Sequence, residues 1–531
     1  MPNVISLRGR IITVDEVTVS RYNETDEAAA SAASLFSGGS VTNAASASIA
    51  GADGIAMGGF STASAETMVN DGRIEGTSAY GYGVDLSPGG SVTNAASASI
   101  TGVRGVEISG GAGTVANDGS IAGTGTSGID IYLRGGLVTN ATSALITGIA
   151  EGVFINGGAG TVANDGSIAG MGTNGRGVEL FSGGSVTNAA LASITGYRYG
   201  VNVAGGVGVV INSGSIAATA AYGNAFSGTQ VAGVELRSGG TVGNAASASI
   251  TGGYDGISVI GGAGTVVNYG GIGGGPAGNG VFLNTGGLVT NAASGTITGI
   301  GNGVGISDGI GIVINDGSIL ATGTSVRGVG AGNGRGVALY SVPGTVINDG
   351  FIAATGTSGF GVDLYDGGSV TNQAGGLITA TARGVVVSNC AATVINDGGI
   401  VATNATSSGV KLKAGGSVDN AVASISGGNL GVYLSAGGTV TDAGTIIGNT
   451  GTAISFGGTA SNLLTLDPGY GLSGIALGGA SATNTLELAS ATSTGTLSGL
   501  GTEFVGFAQT TIDADASWVF NGANTSKPAP R

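Results

Sequence analysis

The stretch Gly89-Gly90-Ser91-Val92-Thr93-Asn94-Ala95-Ala96-Ser97-Ala98-Ser99-Ile100-Thr101-Gly102 is answered one repeat later by Gly113-Thr114-Val115-Ala116-Asn117-Asp118-Gly119-Ser120-Ile121-Ala122-Gly123. Each copy places Val two residues before Asn, and Ile inside a Ser-Ile motif shortly after it. The asparagine then returns at Asn140, Asn164, Asn188 and Asn212, so the spacings from Asn94 run 23, 23, 24, 24 and 24. It continues at Asn244, Asn268, Asn291, Asn315, Asn348, Asn372, Asn396 and Asn420. A fixed period of this size is the mark of a solenoid, which grows by adding rungs and not by enlarging one core.

One rung reads as three short strands with period-2 alternation. Val92 and Asn94 turn inward while Ser91 and Thr93 turn outward. Ile100 points inward, and Val106 and Ile108 point inward with Glu107 outside. The next rung repeats this as Thr114 to Asn117, Ser120 to Gly123 and Gly128-Ile129-Asp130-Ile131. Stacking lays Val on Val and Ile on Ile, so the expected core is a set of aliphatic ladders. The fold class expected is all-β, a parallel β-helix of about 24-residue rungs.

The recurring Asn is read as structural. Asn tolerates the left-handed conformation of a corner, and its amide both donates and accepts, so stacked copies bond to one another. Two spacings, Asn212 to Asn244 and Asn315 to Asn348, are 32 and 33 residues. Their excess is placed in the corner between second and third strands, since insertions collect in loops on one face. Residues 1–36 read as a lead-in or cap, with Glu24 to Leu35 a short helix or a frayed segment. Residues 37–450 read as the repeats, and 451–531 as a looser β region ending in a short disordered tail.

Composition narrows the function. The net charge is −15 and the lysines are Lys411, Lys413 and Lys527, which opposes a nucleic-acid partner or an anionic membrane surface. There is no histidine, which removes Ser-His-Asp and Cys-His nucleophile systems and His-containing metal sites. Cys390 is the single cysteine, too few for a disulfide framework, and reads as a small ladder residue. No apolar run reaches the length of a membrane helix, and Met1 to Asp26 lacks the pattern of a secretory signal.

The remaining chemistry lies on the third strand and the corner before it. Asp85, Glu107 and Asp130 read as an outward acidic stripe on consecutive rungs, continued by Glu179, Glu235 and Asp363. A solvated stripe is the bland reading; relief of the repulsion by Ca²⁺ is the sharp one. Asp71, Asp118, Asp165, Asp316, Asp349 and Asp397 recur in Asn-Asp-Gly and read as turn residues. The variable corner holds the aromatics Tyr80, Tyr82, Tyr197, Tyr199, Tyr222, Phe226, Tyr254 and Phe360. It also holds Arg104, Arg176, Arg198, Arg327, Arg335 and Arg383. Exposed Tyr and Arg are good contact residues, so Tyr80, Tyr82, Tyr197, Arg198, Tyr199, Tyr222, Phe226 and Tyr254 form the candidate contact set. No catalytic residue, metal ligand or cofactor is assigned.

The repeats Gly-Gly-Ser-Val-Thr-Asn-Ala (89–95, 183–189) and Val-Ala-Asn-Asp-Gly-Ser-Ile (115–121, 162–168) resemble β-helical passenger regions of bacterial autotransporter-like surface proteins. So does the tail order Leu464-Thr465-Leu466-Asp467-Pro468-Gly469, Asn484-Thr485-Leu486-Glu487-Leu488 and Trp518-Val519-Phe520-Asn521-Gly522. The resemblance covers the chain from about residue 37. It implies a right-handed helix, display at the cell surface or secretion, and an outer-membrane translocator, for which this chain carries no strands. It also implies a non-enzymatic adhesin-type stalk whose corner loops touch host or surface glycans or proteins. The alternatives are a β-helix enzyme acting on polysaccharide, a structural surface-layer component, and a truncated reading frame.

Overall fold

The computed structural model describes residues 5–7, 11–14, 31–35, 39–58, 65–126, 128–221, 231–323, 334–479, 483–522 and 524. Among these residues every regular element is a β-strand, and the chain forms a parallel β-solenoid of three-strand rungs. It divides into two compact units, Met1–Gly264 and Thr265–Arg531.

In the first unit, Gly90–Asn94 pairs in parallel with Gly113–Asn117, setting Val92 against Val115 and Asn94 against Asn117. The second strands Ser99–Gly102 and Ser120–Gly123 set Ile100 against Ile121. The third strands Arg104–Ile108 and Ile129–Leu133 set Val106 against Ile131 and Ile108 against Leu133. All of these aliphatic residues are at most 1% exposed. Each therefore contributes about 1.5–3 kcal/mol of transfer free energy, which is what holds a chain this rich in glycine. The second unit repeats the scheme. Gly344–Asn348 lies against Gly368–Asn372, Phe351–Ala354 against Leu377–Ala380, and Phe360–Leu364 against Arg383–Val387.

The corner after the asparagine takes two forms, which alternate along the first unit. In the longer form Ser97 takes the left-handed conformation (φ 67°), with Ala98 N–H donating to Ala95 C=O at 3.0 Å. The shorter form, Asn117-Asp118-Gly119-Ser120, lies against it. A Cβ on Gly119 would stand 2.3 Å from Ala98 O, so only glycine allows this approach. The Asn-Asp-Gly aspartates Asp71, Asp118, Asp165 and Asp349 are exposed at this corner. The asparagines themselves end the first strand and are not in the left-handed region. The conformational reason given for them is thus corrected; the left-handed position falls three residues later.

Both long spacings are spent between second and third strands, Ser215–Ala218 to Ala232–Leu236 and Ser318–Ala321 to Arg335–Leu339. Residues 222–230 and 324–333 of those corners, with Tyr222, Phe226 and Arg327, lie outside the described residues. So do residues 15–30 of the segment read as helix or lead-in, and 525–531 of the tail. Ala33–Leu35, in that same segment, is a strand paired with Ile5–Leu7 and with Ile55–Met57. Ile11–Val14 pairs with Ser40–Asn43 and so belongs to the repeat stack. Beyond residue 450 the first-strand register continues through Asn462–Leu466 and Asn484–Leu488, with Leu464 and Leu486 in the valine position.

Candidate functional site

Two features of the rung carry polar chemistry, and they lie on opposite sides of the sheet surface. The first is internal. In the first unit each ladder asparagine donates its Nδ2 to Oδ1 of the next, from Asn43 to Asn244, at 2.7–2.9 Å. In the second unit the chain runs from Asn268 to Asn420 and then to Asp442 at 2.7–2.8 Å. The same Nδ2 also bonds turn carbonyls: Asn94 reaches Ala98 O and Ser120 O at 3.3 and 3.2 Å. Asn94, Asn117, Asn140, Asn164, Asn188 and Asn212 are at most 1% exposed. Their donors and acceptors are used within the fold and offer nothing to a ligand.

The second feature is the outer face of the third strands. Register aligns Asp85, Glu107, Tyr132, Phe154, Glu179, Asn202 and Glu235 in one column. This corrects the acidic stripe. Tyr132, not Asp130, stands beside Glu107. Asp130 occupies an inward column otherwise held by Gly83, Gly105, Gly152 and Gly177, and is fully buried. Its Oδ1 accepts from Gly123 N–H, and burial holds its carboxyl well above the ordinary carboxylate range.

The stripe is not solvated either. Glu179, Glu235 and Asp363 are 1–2% exposed, and arginines of the same face hold them. Arg176 Nη1 donates to Glu151 at 2.8 Å and to Glu179 at 2.7 Å, while Asn202 Nδ2 donates to the other Glu179 oxygen at 2.7 Å. Arg237 pairs with Glu235 at 2.9 Å, and Arg104 with Glu107. In the second unit Arg335 pairs with Asp363 at 2.5 Å. Desolvation raises Glu179, Glu235 and Asp363 above their usual values, and the paired arginines pull them partly back. Glu151 and Glu179 share one guanidinium nitrogen, but Glu179 is buried with both oxygens engaged, so a substrate cannot reach it. Among the described residues no group of three or more His, Cys, Asp or Glu is placed to hold a metal ion.

Aromatic rings complete this face. Tyr132, Phe154 and Phe181 form a run with centroids 5.4 and 5.6 Å apart, and the Arg104 guanidinium lies 5.3 Å from the Tyr132 ring. Phe181 is exposed. In the second unit Tyr340 and Tyr365 stand 5.2 Å apart, with Tyr365 exposed, and Arg335 and Arg383 lie 5.5 and 4.8 Å from the Phe360 ring.

The candidate contact set fares unevenly. Tyr80 is 87% exposed and Tyr82 half-buried under Arg104. Tyr197 and Tyr254 pack on Ala218, Ala220 and Val231 and cover their own corner. Tyr199, expected to be exposed, is 1% exposed; Arg198 lies 4.9 Å from its ring, and its hydroxyl accepts from Arg237 at 3.1 Å. Burial, then Glu235, pushes this phenol up to about 12. Cys390, expected in a ladder, is exposed at a corner. The residues missed were Tyr132, Phe154, Phe181, Tyr340, Tyr365 and Tyr433. All sit on the third strand at the outward position or just past its end, a periodicity visible once the register is known.

No family of known proteins, no curated protein and no solved structure matches this chain.

Proposed function

We propose that the chain is a non-enzymatic, adhesin-type solenoid, displayed at a surface or secreted, that makes its contacts through the outer face of its third strands. One observation carries this reading: rings and arginines concentrate on that face. The first strands turn outward mainly small or aliphatic residues such as Thr93, Thr114, Val209 and Ile211. Exposed aromatics beside arginines are the composition of recognition surfaces. On this face Glu107, Glu151, Glu179, Glu235 and Asp363 are held by arginines, which favours binding over turnover there. The rigid sheet presents its side chains preorganised, so little ordering entropy opposes a contact.

The test is a binding screen of the full chain against neutral and acidic glycans and surface proteins, with product analysis on every glycan. Binding without turnover, weakened by Phe181→Ala or Tyr365→Ala, supports the proposal. Cleavage of any glycan, or binding indifferent to both substitutions, refutes it.

A further inference from the structure

Cations are scarce here: 16 lysines and arginines against 31 aspartates and glutamates. Most described arginines on the repeats are neutralised. Arg73, Arg104, Arg176, Arg237 and Arg335 each hold a carboxylate. Among the described residues Arg134 stands alone and exposed, and one place gathers several cations. Arg383, Lys411 and Lys413 lie on two adjacent third strands of the second unit, and no described carboxylate makes a salt bridge to any of them. Two of the three lysines in the protein are in this spot.

The register builds a small map. Arg383 stands beside Phe360 and Ser408, and Lys411 beside Val386 and Tyr433. Lys413 follows Leu412 at the strand end, its N–H bonded to Val387 C=O and its Nζ 3.2 Å from Ser388 Oγ. The Lys411 ammonium is 5.0 Å from the Tyr433 ring, and the Arg383 guanidinium 4.8 Å from the Phe360 ring. The exposed Tyr365 lies one rung before Ser388, and Tyr433 one rung after Lys411. The nearest acids are committed elsewhere and offset the group only in part: Asp363 feels Lys413 and Arg383 but less than its own arginine. Asp363 is 2% exposed and bound to Arg335, and Asp366 is held by Asn389 Nδ2 at 2.9 Å.

Like charges on neighbouring strands repel. Burial, then Arg383 and Lys413, lowers the Lys411 pKa below its ordinary value. A ligand that brings negative charge to these rungs removes that repulsion. Three cations on two adjacent rungs of one face, Arg383 in register with Ser408 and Lys411 and Lys413 two residues apart along the next strand, with hydroxyls and rings beside them, suit a chain of sugars bearing spaced charges. A nucleic acid carries a phosphate charge about every 1.7 Å of duplex, and a protein of net charge −15 repels such a density beyond these three contacts.

We infer that the third-strand face spanning Tyr365, Arg383, Lys411, Lys413 and Tyr433 is a binding site for an acidic glycan, a sugar chain bearing carboxylate or sulfate groups. This rests on the reading of the third-strand face as the contact surface.

The experiment is calorimetric titration of the full chain with four probes: an oligogalacturonate, a sulfated hexasaccharide, a neutral cello-oligosaccharide and single-stranded oligothymidylate. At least one acidic glycan binds, and more weakly as salt rises; the other two probes do not bind at this face. Replacing Arg383, Lys411 or Lys413 by Gln weakens binding about threefold each, and the triple variant about thirtyfold, as three solvent-accessible charge contacts predict. Which acidic probe binds tells carboxylate from sulfate. The Lys411→Arg, Lys413→Arg variant keeps the charge and retains affinity, which separates a charge contact from a folding defect. The inference is overturned if the triple variant binds within about twofold of wild type, if the Arg variant loses binding while melting normally, or if oligothymidylate competes for the face. Neutral glycan binding without acidic binding overturns the anion site and leaves the contact face standing. Binding by none of the probes or of the screened ligands overturns both.

Discussion

Replacing Asn140 by Leu tests whether the internal ladder holds the solenoid together or merely accompanies it. Asn140 donates to Asn164 Oδ1 at 2.8 Å, to Ala144 O at 3.3 Å and to Ser167 O at 3.2 Å, and accepts from Asn117 Nδ2 at 2.8 Å. Leucine is close in volume, so the change removes four buried hydrogen bonds and leaves little cavity. Asn117 Nδ2 keeps Gly119 O and Leu145 O at 3.2 and 3.1 Å, which limits the damage on that side. On the other side Asn164 Oδ1 loses its ladder donor. At about 1 kcal/mol per bond the expected loss is about 4 kcal/mol, close to a thousandfold in local opening. A long repeat array need not unfold in one step, so the readout must be local. Hydrogen exchange by mass spectrometry over residues 136–170 provides it. The amides of Ala141 and Asp165, bonded to Asn117 O and Asn140 O at 2.8 and 2.7 Å, should lose about three decades of protection. Asn140→Asp should do worse above about pH 7, because a carboxylate then faces three acceptors, and should recover on acidification as its restored O–H donates to Asn164. Protection within about tenfold of wild type in the Leu variant would refute a stabilising ladder.

Gly177→Ala should cost about 1–3 kcal/mol, since its Cβ would sit 2.6 Å from Ile194 Cγ2 and 2.7 Å from Gly200 O; a denaturation midpoint equal to wild type contradicts this. Leu191 is fully exposed in the left-handed region (φ 68°), where its sister turns use Ser, so Leu191→Gly should raise stability by about 0.5–1 kcal/mol. A lower midpoint would show that Leu191 has a hidden contact. Glu66 is 1% exposed in the inward column of Gly113, with neither carboxylate oxygen partnered; burial, then Asp85, raises it from 4.5 to about 7. Between those values the fold holds a proton that the unfolded chain has released, so stability falls as pH rises through the window. The melting temperature should be higher near pH 5 than near pH 8, and Glu66→Gln should shrink the difference; an unchanged difference assigns it elsewhere.

The parts of the fold legible in the sequence are those set by the repeat itself. Val92 and Asn94 recur at a fixed distance from each other, and Ile100 follows at one of two distances because the corner between them has two lengths. The third strand escaped for the opposite reason. Its approach from Gly102 to Arg104 is short, and from Gly123 to Ile129 long. Alternation with period 2 cannot distinguish a register from one shifted by two residues. Ile129-Asp130-Ile131 and Ile131-Tyr132-Leu133 both satisfy it, and only strand pairing selects the second. Burial of Glu179 and Tyr199 was equally out of reach, because Asn202 and Arg237 reach them across rungs, at sequence separations no local pattern encodes.

The direction of the asparagine chain explains how it ends. Within each unit the bonded amides donate forward, toward higher residue numbers, and accept from behind. Asn43 has Val14 behind it, a residue with no donor, and its buried Oδ1 is without a partner. At the other end the strand beyond residue 442 offers Leu466, which accepts nothing, so an amide there would leave its donor unpaired. The residue at that point is Asp442. It accepts from Asn420 Nδ2 at 2.8 Å and from Gly444 N–H at 3.1 Å, and when ionised it has no proton needing a partner. Burial raises its pKa to about 6, against the pull of those two donors. Asp442→Asn should therefore be destabilising at neutral pH although it restores the repeat consensus, because the new Nδ2 would have no side-chain acceptor ahead of it. The cost of an unmet buried donor is about 1–3 kcal/mol. Hydrogen exchange over residues 438–466 measures it, and a variant as protected as wild type would show that a backbone carbonyl takes the proton and that the chain needs no terminator.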